Sequence, residues 1–378
     1  MHTPSFVNKI LNYSEKLPSI VLPKHDNVSD VCICKHFVRK HQIKRITAEN
    51  YLSKPCETEQ FRFVNEASIV TYKPIPTFSF WKDYRPGCGI TYFEQAFYNV
   101  REIGSGDFGI VYAATYRGDG QRYAVKKMRY TYSGETNRRS LQREAFIHEQ
   151  FDDCPGILRY YGAWEERDQL YMQVELCRNS LANIKYCRKC VNSKQVTKFA
   201  ADILIGVQAL HNKNVLHFDI KPENILITND GRCKLGDFGV ALQLSVDDLK
   251  DVDEGDARYL AREVLNNKPT LAADIFSIGL TLLELAAKVD LPSHGTENHN
   301  IRNGIIKREW LDAVDEPVLR ALIVWMISSD PIKRPTAAEA LEVLGTLDNK
   351  KFISQEYIIV MILLFVAMVI VGFYSWDF

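Results

Sequence analysis

The sequence predicts an α+β chain built as two lobes, followed by a C-terminal helix long enough to span a membrane. The first lobe is small and β-rich with one helix; the second is larger and mainly helical. Three observations predict this. Between Tyr98 and Glu175 apolar residues gather in short strand-like runs, as in 109–114 and 122–126, broken once by a helical stretch around 141–150. Beyond Cys177 the apolar spacing becomes helical, as in 196–210, 273–287 and 317–327. From 357 to 376 the chain is uncharged and rich in Ile, Val, Leu, Met and Phe, without the polar stripe that a helix packed in a soluble core shows.

The composition agrees with a chain that buries a sizeable core. Of its 378 residues 46% are hydrophobic and 25% charged, close to ordinary globular usage. Basic and acidic residues number 47 each, so no net field draws nucleic acid, and none is expected as a partner. The nine cysteines are an odd number and no apolar secretory segment opens the chain, which points to reduced thiols. Cys187 and Cys190 form a CxxC, but no second pair stands at zinc spacing, so they are read as free thiols.

Taken in order, residues 1–90 show no sustained period and are expected to form a poorly ordered extension; the basic run at 39–45 within them reads as solvated surface. The two-lobed unit is expected over 91–347, the small lobe ending near 177 and the large one filling 178–347. A linker over 348–356 and an anchor over 357–376 follow. About twenty helical residues cross a hydrocarbon core of about 30 Å. Lys350 and Lys351 precede the anchor and only Asp377 and Phe378 follow it. The basic flank is therefore expected to stay in the cytosol with both lobes, at an endoplasmic reticulum or Golgi membrane.

Four groups of residues carry chemistry. Gly104-Ser105-Gly106-Asp107-Phe108-Gly109-Ile110-Val111 has the GxGxxGxV pattern, whose glycines let backbone N–H groups approach phosphates. A second strand follows it instead of a helix, and Lys126 comes seventeen residues after the last glycine, which a dinucleotide-binding turn does not predict. Lys126 would bind the α and β phosphates of ATP. Glu144 on the following helix would hold that lysine, with Glu149 as the other carboxylate available.

His217-Phe218-Asp219-Ile220-Lys221-Pro222-Glu223-Asn224 is the most specific signal, because Asp219 and Asn224 stand at Asp-x₄-Asn spacing. Asp219 would orient an acceptor hydroxyl and take its proton, Lys221 would steady the γ-phosphate, and Asn224 would bind one Mg²⁺. His217 reads as a structural core histidine. After a strand, a turn at Asn229-Asp230-Gly231 and a second strand comes Asp237-Phe238-Gly239, whose aspartate would hold Mg²⁺. Together these groups resemble the protein kinase family, and imply its bilobal fold with ATP and Mg²⁺.

Two departures bear on regulation. Phe218 stands where many kinases carry the arginine that pairs with a phosphorylated activation segment, so switching by that phosphate is not expected. Between Gly239 and Glu263 the side-chain hydroxyls are Ser245 and Tyr259, amid Asp247, Asp248, Asp251, Asp253, Glu254 and Asp256. In Leu260-Ala261-Arg262-Glu263 an arginine replaces the usual proline, while Glu263 remains able to pair with Arg334 as a structural ion pair.

Within the kinases, the sequence is similar to the Wee/Myt family that inhibits cyclin-dependent kinases, and in particular to its membrane-associated branch. The resemblance rests on Tyr92-Phe93-Glu94-Gln95-Ala96-Phe97, Ala163-Trp164-Glu165-Glu166, Gln173-Val174-Glu175-Leu176-Cys177, the 231–239 stretch and Glu254-Gly255-Asp256-Ala257-Arg258-Tyr259. It implies a cyclin-bound cyclin-dependent kinase as substrate, phosphorylated on the adjacent Thr and Tyr of its glycine loop to block entry into mitosis or meiosis. It also implies an ATP site of Gly104, Ser105, Gly106, Gly109, Val111, Ala124, Lys126 and Glu144, with Val174 as gatekeeper and Glu175 and Cys177 offering backbone groups to adenine. Ala-Arg-Glu is nearer the nuclear branch, and the chain ends at Phe378 without the long tail of many membrane-branch members. Two other readings compete: a membrane-tethered kinase-fold scaffold without catalysis, and a membrane-anchored Ser/Thr kinase of another substrate class.

Overall fold

The computed structural model describes residues 66–73, 78–106, 109–129, 131–151, 153–185, 191–244, 255–266 and 269–348. The basic run at 39–45, Cys187, Cys190, Ser245 and the apolar stretch 357–376 lie outside these residues. No helix among the described residues is long and apolar enough to cross a membrane.

The small lobe is one antiparallel sheet and two helices. In chain order it runs β1 (Ser68–Val70), α1 (Tyr92–Ala96), β2 (Phe97–Ser105), β3 (Gly109–Tyr116), β4 (Arg122–Met128), α2 (Glu135–Glu149), β5 (Tyr160–Glu166) and β6 (Gln169–Glu175). The strand order is β1-β5-β6-β4-β3-β2. Thr91 and Glu94 close a capping box at the start of α1, satisfying N–H groups that a five-residue helix would leave bare.

The lobe begins earlier than residue 91. β1 pairs with β5, placing Ser68 opposite Glu165 and Val70 opposite Ala163. Phe78, Phe80, Trp81 and Tyr84 pack over a buried cluster of Tyr92, Phe97, Trp164 and Tyr171. The Phe78 ring stacks on Trp164 at 5.9 Å, over Gly162, where a Cβ would meet that ring at 2.3 Å. This corrects the expectation that all of 1–90 is poorly ordered. Its aromatics follow no helical or strand period because they pack as an irregular layer, and periodicity does not register such a layer.

The large lobe continues with β7 (Asn179–Ser180), α3 (Leu181–Lys185), α4 (Ser193–Asn212), β8 (Val215–Leu216), β9 (Ile225–Ile227), β10 (Cys233–Leu235) and β11 (Leu242–Gln243). Then come α5 (Ala272–Ala287), α6 (Gly295–Arg302), α7 (Arg308–Asp312), α8 (Pro317–Met326) and α9 (Ala337–Asp348). α4 opens with an Asn192–Gln195 capping box and buries Val196, Phe199, Ala200, Ile203, Leu204, Val207 and Leu210, a one-faced stripe at i, i+3 and i+4. α5 is buried continuously from Ala273 to Leu285, as expected of the lobe's central helix. The predicted hairpin is present as antiparallel β9 and β10, its turn closed by Gly231 at φ 82°.

Candidate active site

The candidate side chains stand on strands, loops and the helix α2 where the two lobes meet. Ala124 on β4 lies directly opposite Val174 on β6, both buried, and Val111 on β3 lies opposite Lys126. Val111 also faces Gly104 across the β2–β3 ladder, and Ser105 faces Ile110. Gly109 must lack a side chain, since a Cβ there would come within 2.5 Å of the Lys127 carbonyl oxygen. The loop is closed by a Gly106 N–H bond to the Gly109 carbonyl, while the other two residues of its tip, Asp107 and Phe108, are outside the described residues.

Lys126 joins the two sides of the cleft. Its Nζ donates to both carboxylate oxygens of Glu144, at 2.6 and 2.9 Å, and to Asp237 Oδ1 at 2.9 Å. The choice between two carboxylates on α2 is thereby settled for Glu144. Burial works to depress the Lys126 ammonium, but Asp237 and Glu144 outweigh it and hold its pKa above the ordinary lysine value. Asp237 is likewise held below the usual carboxylate range, the nearby ammonium overriding burial. Glu144, the most deeply buried of the three, is pushed up by burial, which Lys126 offsets only in part.

On the large-lobe side, Asp219 is held from three directions. Lys221 Nζ lies 2.7 Å from its Oδ2, Asn224 Nδ2 donates to the same oxygen at 2.8 Å, and the Asp256 N–H donates to Oδ1 at 3.0 Å. Asp256 is itself gripped by Arg258 at 2.7 Å, which also reaches Glu223 at 3.2 Å. His217 is fully buried, its Nε2 3.2 Å from the Gly236 carbonyl and its ring 5.1 Å from Phe238, consistent with a structural role. The Glu175 side chain accepts from Lys234 Nζ at 2.6 Å, and burial pushes the Cys177 thiol up to about 12, so its sulfur is not a reactive thiolate.

Two contributors are absent from the sequence-derived set. Asp274, 1% exposed on α5, accepts the N–H groups of His217 and Phe218 at 2.9 and 3.0 Å and so fixes the loop that carries Asp219. A carboxylate in the first turn of a largely apolar helix, which holds just one other, Glu284, is the signal that could have found it. Arg129 donates to the Gly106 carbonyl at 3.1 Å and to Ser105 Oγ at 2.8 Å, bracing the glycine loop; nothing in the local sequence marks it.

Tyr259 is not a surface hydroxyl. It is buried, 2% exposed, and its hydroxyl donates to Glu284, which also pairs with Lys185 at 2.5 Å. Modification there would require the segment to leave the core. The Glu263–Arg334 pair is present in bidentate form, at 2.5 and 3.0 Å, with Arg334 also donating to the Ser328 and Ala272 carbonyls.

The donor set fits Mg²⁺ carried by a nucleotide. Asn224 turns its amide nitrogen to Asp219, so its side-chain oxygen faces away, and Asp237 supplies one carboxylate. No group of three or more His, Cys, Asp or Glu gathers as a cage among the described residues. One carboxylate and one amide oxygen, completed by phosphate oxygens and water, is the pattern Mg²⁺ takes in phosphoryl-transfer enzymes.

A family profile described as protein kinase domain matches residues 97–344. Over 265 residues the chain is 41% identical to a membrane-associated tyrosine- and threonine-specific cdc2-inhibitory kinase, wee-1.3, of Caenorhabditis briggsae, covering 69% of this chain and 40% of that protein. A Drosophila melanogaster protein of the same description is 39% identical over 255 residues, 67% of this chain and 47% of that one. The mitosis inhibitor protein kinase wee1 of Schizosaccharomyces pombe is 33% identical over 274 residues, 65% of this chain and 31% of its own length. The matched stretch thus spans less than half of each of these relatives. Because the matched region contains Lys126, Glu144, Asp219, Asn224 and Asp237, all within the fold just described, the chain belongs to the protein kinase family and has Wee1-type cdc2-inhibitory kinases among its relatives.

Proposed function

We propose that this chain is an ATP-dependent protein kinase that inhibits a cyclin-dependent kinase by phosphorylating the adjacent Thr and Tyr of its glycine loop. The observation that carries the catalytic part is the Lys126–Glu144–Asp237 cluster, already formed across the cleft. The substrate class rests on the similarity to two relatives described as tyrosine- and threonine-specific cdc2-inhibitory kinases, and to a third described as a mitosis inhibitor protein kinase.

In this reading the Gly104, Ser105, Gly106 and Gly109 backbone covers the phosphates of ATP, with Val111, Ala124 and Val174 against adenine and the Glu175 and Cys177 backbone along its edge. Lys126, held by Glu144, binds the α and β phosphates. Asn224 and Asp237 hold Mg²⁺, which when bound neutralises charge on the transferred phosphoryl group. Asp219 orients the acceptor hydroxyl and takes its proton, and Lys221 balances the charge on the γ-phosphate. Phosphate at the segment after Gly239 is not needed, since the Asp256 backbone already engages Asp219. Residues 357–376 anchor the chain in an endoplasmic reticulum or Golgi membrane, with 91–347 in the cytosol; the length and apolarity of that stretch support this. The intact cluster lends no support to a scaffold without catalysis.

The test is to incubate the full chain, and a version ending at Leu347, with ATP, Mg²⁺ and a cyclin-bound cyclin-dependent kinase, beside Asp219→Asn, mapping phosphosites by mass spectrometry. Phosphate on the glycine-loop Thr and Tyr, absent with Asp219→Asn, and membrane retention of the full chain alone are the expected results. Transfer only to other proteins would overturn the substrate reading. No transfer to any protein would overturn catalysis.

A further inference from the structure

α2 carries a second carboxylate that the cleft does not use. Glu149 lies five residues beyond Glu144 in the last turn of the helix, 4% exposed, and no cation pairs with it among the described residues. That is a poor place for an anion, because the carbonyl end of a helix already carries partial negative charge and a buried carboxylate needs donors.

Those donors come from the strap that follows β1. Thr71 Oγ1 donates to Glu149 Oε1 at 2.6 Å, and the Tyr72 N–H donates to Oε2 at 2.5 Å. Thr71 is in turn fixed by the Lys73 N–H, which donates to its hydroxyl at 3.1 Å. The Tyr72 ring lies 6.4 Å from that of Phe146, one turn back along α2. Behind Thr71 the chain is hydrogen-bonded into the sheet through β1 and β5. One end of the strap is therefore held by the sheet and the other is fastened to α2.

We propose that Glu149 is a positioning residue: by fastening α2 to Thr71 and Tyr72 it holds the helix where Glu144 reaches Lys126. The inference rests on the reading that the Lys126–Glu144 pair serves phosphoryl transfer. Glu149 touches neither nucleotide nor acceptor and acts only through the placement of α2. At its start Gly134 provides no side-chain cap, and Arg138 and Gln142 fasten the helix there to Glu165 on β5, at 2.9 and 2.8 Å, so the Glu149 contacts secure the opposite end.

The experiment compares the full chain with Glu149→Ala, Glu149→Gln and Thr71→Val, using hydrogen exchange of residues 135–149 and steady-state kinetics. In Glu149→Ala, exchange in α2 quickens by about 10²-fold, the change expected from losing two hydrogen bonds to a charged group, and kcat falls by a similar factor. Exchange in α4 and the KM for the acceptor protein stay as in wild type. Glu149→Gln, whose amide oxygen still accepts, recovers most of both losses. Thr71→Val, which keeps the strap's shape, loosens α2 by a smaller factor and covers the case in which Glu149→Ala does not fold. Unchanged α2 exchange in Glu149→Ala and Thr71→Val overturns the latch, and loosened α2 with unchanged kcat overturns its positioning role. A wild-type chain without kinase activity refutes the catalytic reading instead, and the exchange data still decide the latch.

Discussion

Asp219 is fixed in part from outside its own loop, and Gly255 is where that contact can be disturbed by a single methyl group. A Cβ on Gly255 would come within 2.3 Å of the Phe218 carbonyl oxygen and 3.1 Å of Asp219 Oδ1. Side-chain carbons essentially never approach closer than 3.0 Å, so Gly255→Ala must displace one partner by at least about 0.7 Å. Phe218 cannot easily yield: the His217 and Phe218 N–H groups are both pinned to buried Asp274, and Phe218 itself sits at φ 70°. The displacement falls on Asp219 or on the Asp256 N–H that holds it. A misplacement of about 1 Å in a positioned catalytic group costs on the order of 10²-fold in rate, roughly 2.7 kcal/mol of barrier. Gly255→Ala is therefore expected to lower kcat by about that factor while leaving the KM for ATP within about threefold, since the atoms its side chain meets belong to Phe218 and Asp219. Steady-state kinetics with ATP varied at saturating acceptor, alongside a thermal melt confirming the fold, gives the answer. A kcat within about threefold of wild type would refute the argument that this close approach positions Asp219.

Two further predictions concern stability. Glu263→Gln leaves the buried Arg334 guanidinium without its counter-charge, at a cost of about 3 kcal/mol, although the Ser328 and Ala272 carbonyls still accept from it; urea unfolding should show a lower midpoint at unchanged slope, and a loss under about 1 kcal/mol would contradict the assignment. His148 is 3% exposed, and burial holds its imidazole down to about 4 even though Nε2 lies 2.6 Å from the Leu158 carbonyl. The unfolded chain therefore protonates first, near pH 6.5, so stability is full above that pH and drains as pH falls toward 4, by about 2 kcal/mol between pH 7 and pH 5. In His148→Gln, which can still donate to Leu158, the loss over that interval should shrink by the same amount, and an unchanged pH dependence would rule His148 out as its source.

Much of this architecture is legible in the sequence, for a local reason. The helices predicted over 196–210, 273–287 and 317–327 appear as Ser193–Asn212, Ala272–Ala287 and Pro317–Met326, because each buries a face whose spacing the chain writes out residue by residue. The candidate catalytic groups could be named from the sequence for a similar reason, since Asp219, Lys221 and Asn224 share one loop and the glycine pattern is a local backbone requirement. The layer built from Phe78, Phe80, Trp81 and Tyr84 was not: its residues meet partners far along the chain at no fixed interval.

By itself the sequence determined the two lobes, the candidate phosphate-handling residues, and the apolar stretch at 357–376 on which the proposed membrane anchor rests. Tertiary structure alone decided which carboxylate of α2 serves Lys126. Glu144 and Glu149 are chemically identical and five residues apart, and only the packing of α2 turns one toward the cleft and the other toward the Thr71 strap. It also decided that the Tyr259 hydroxyl is buried against Glu284, and that Asp274 and the Asp256 N–H hold the catalytic loop from 55 and 37 positions away from Asp219. The physical reason is the same in each case. Periodicity and motif spacing record what neighbours along the chain must share, whereas a buried charge or hydroxyl is satisfied by whatever donor folding brings within about 3 Å, and that distance is set by the whole core.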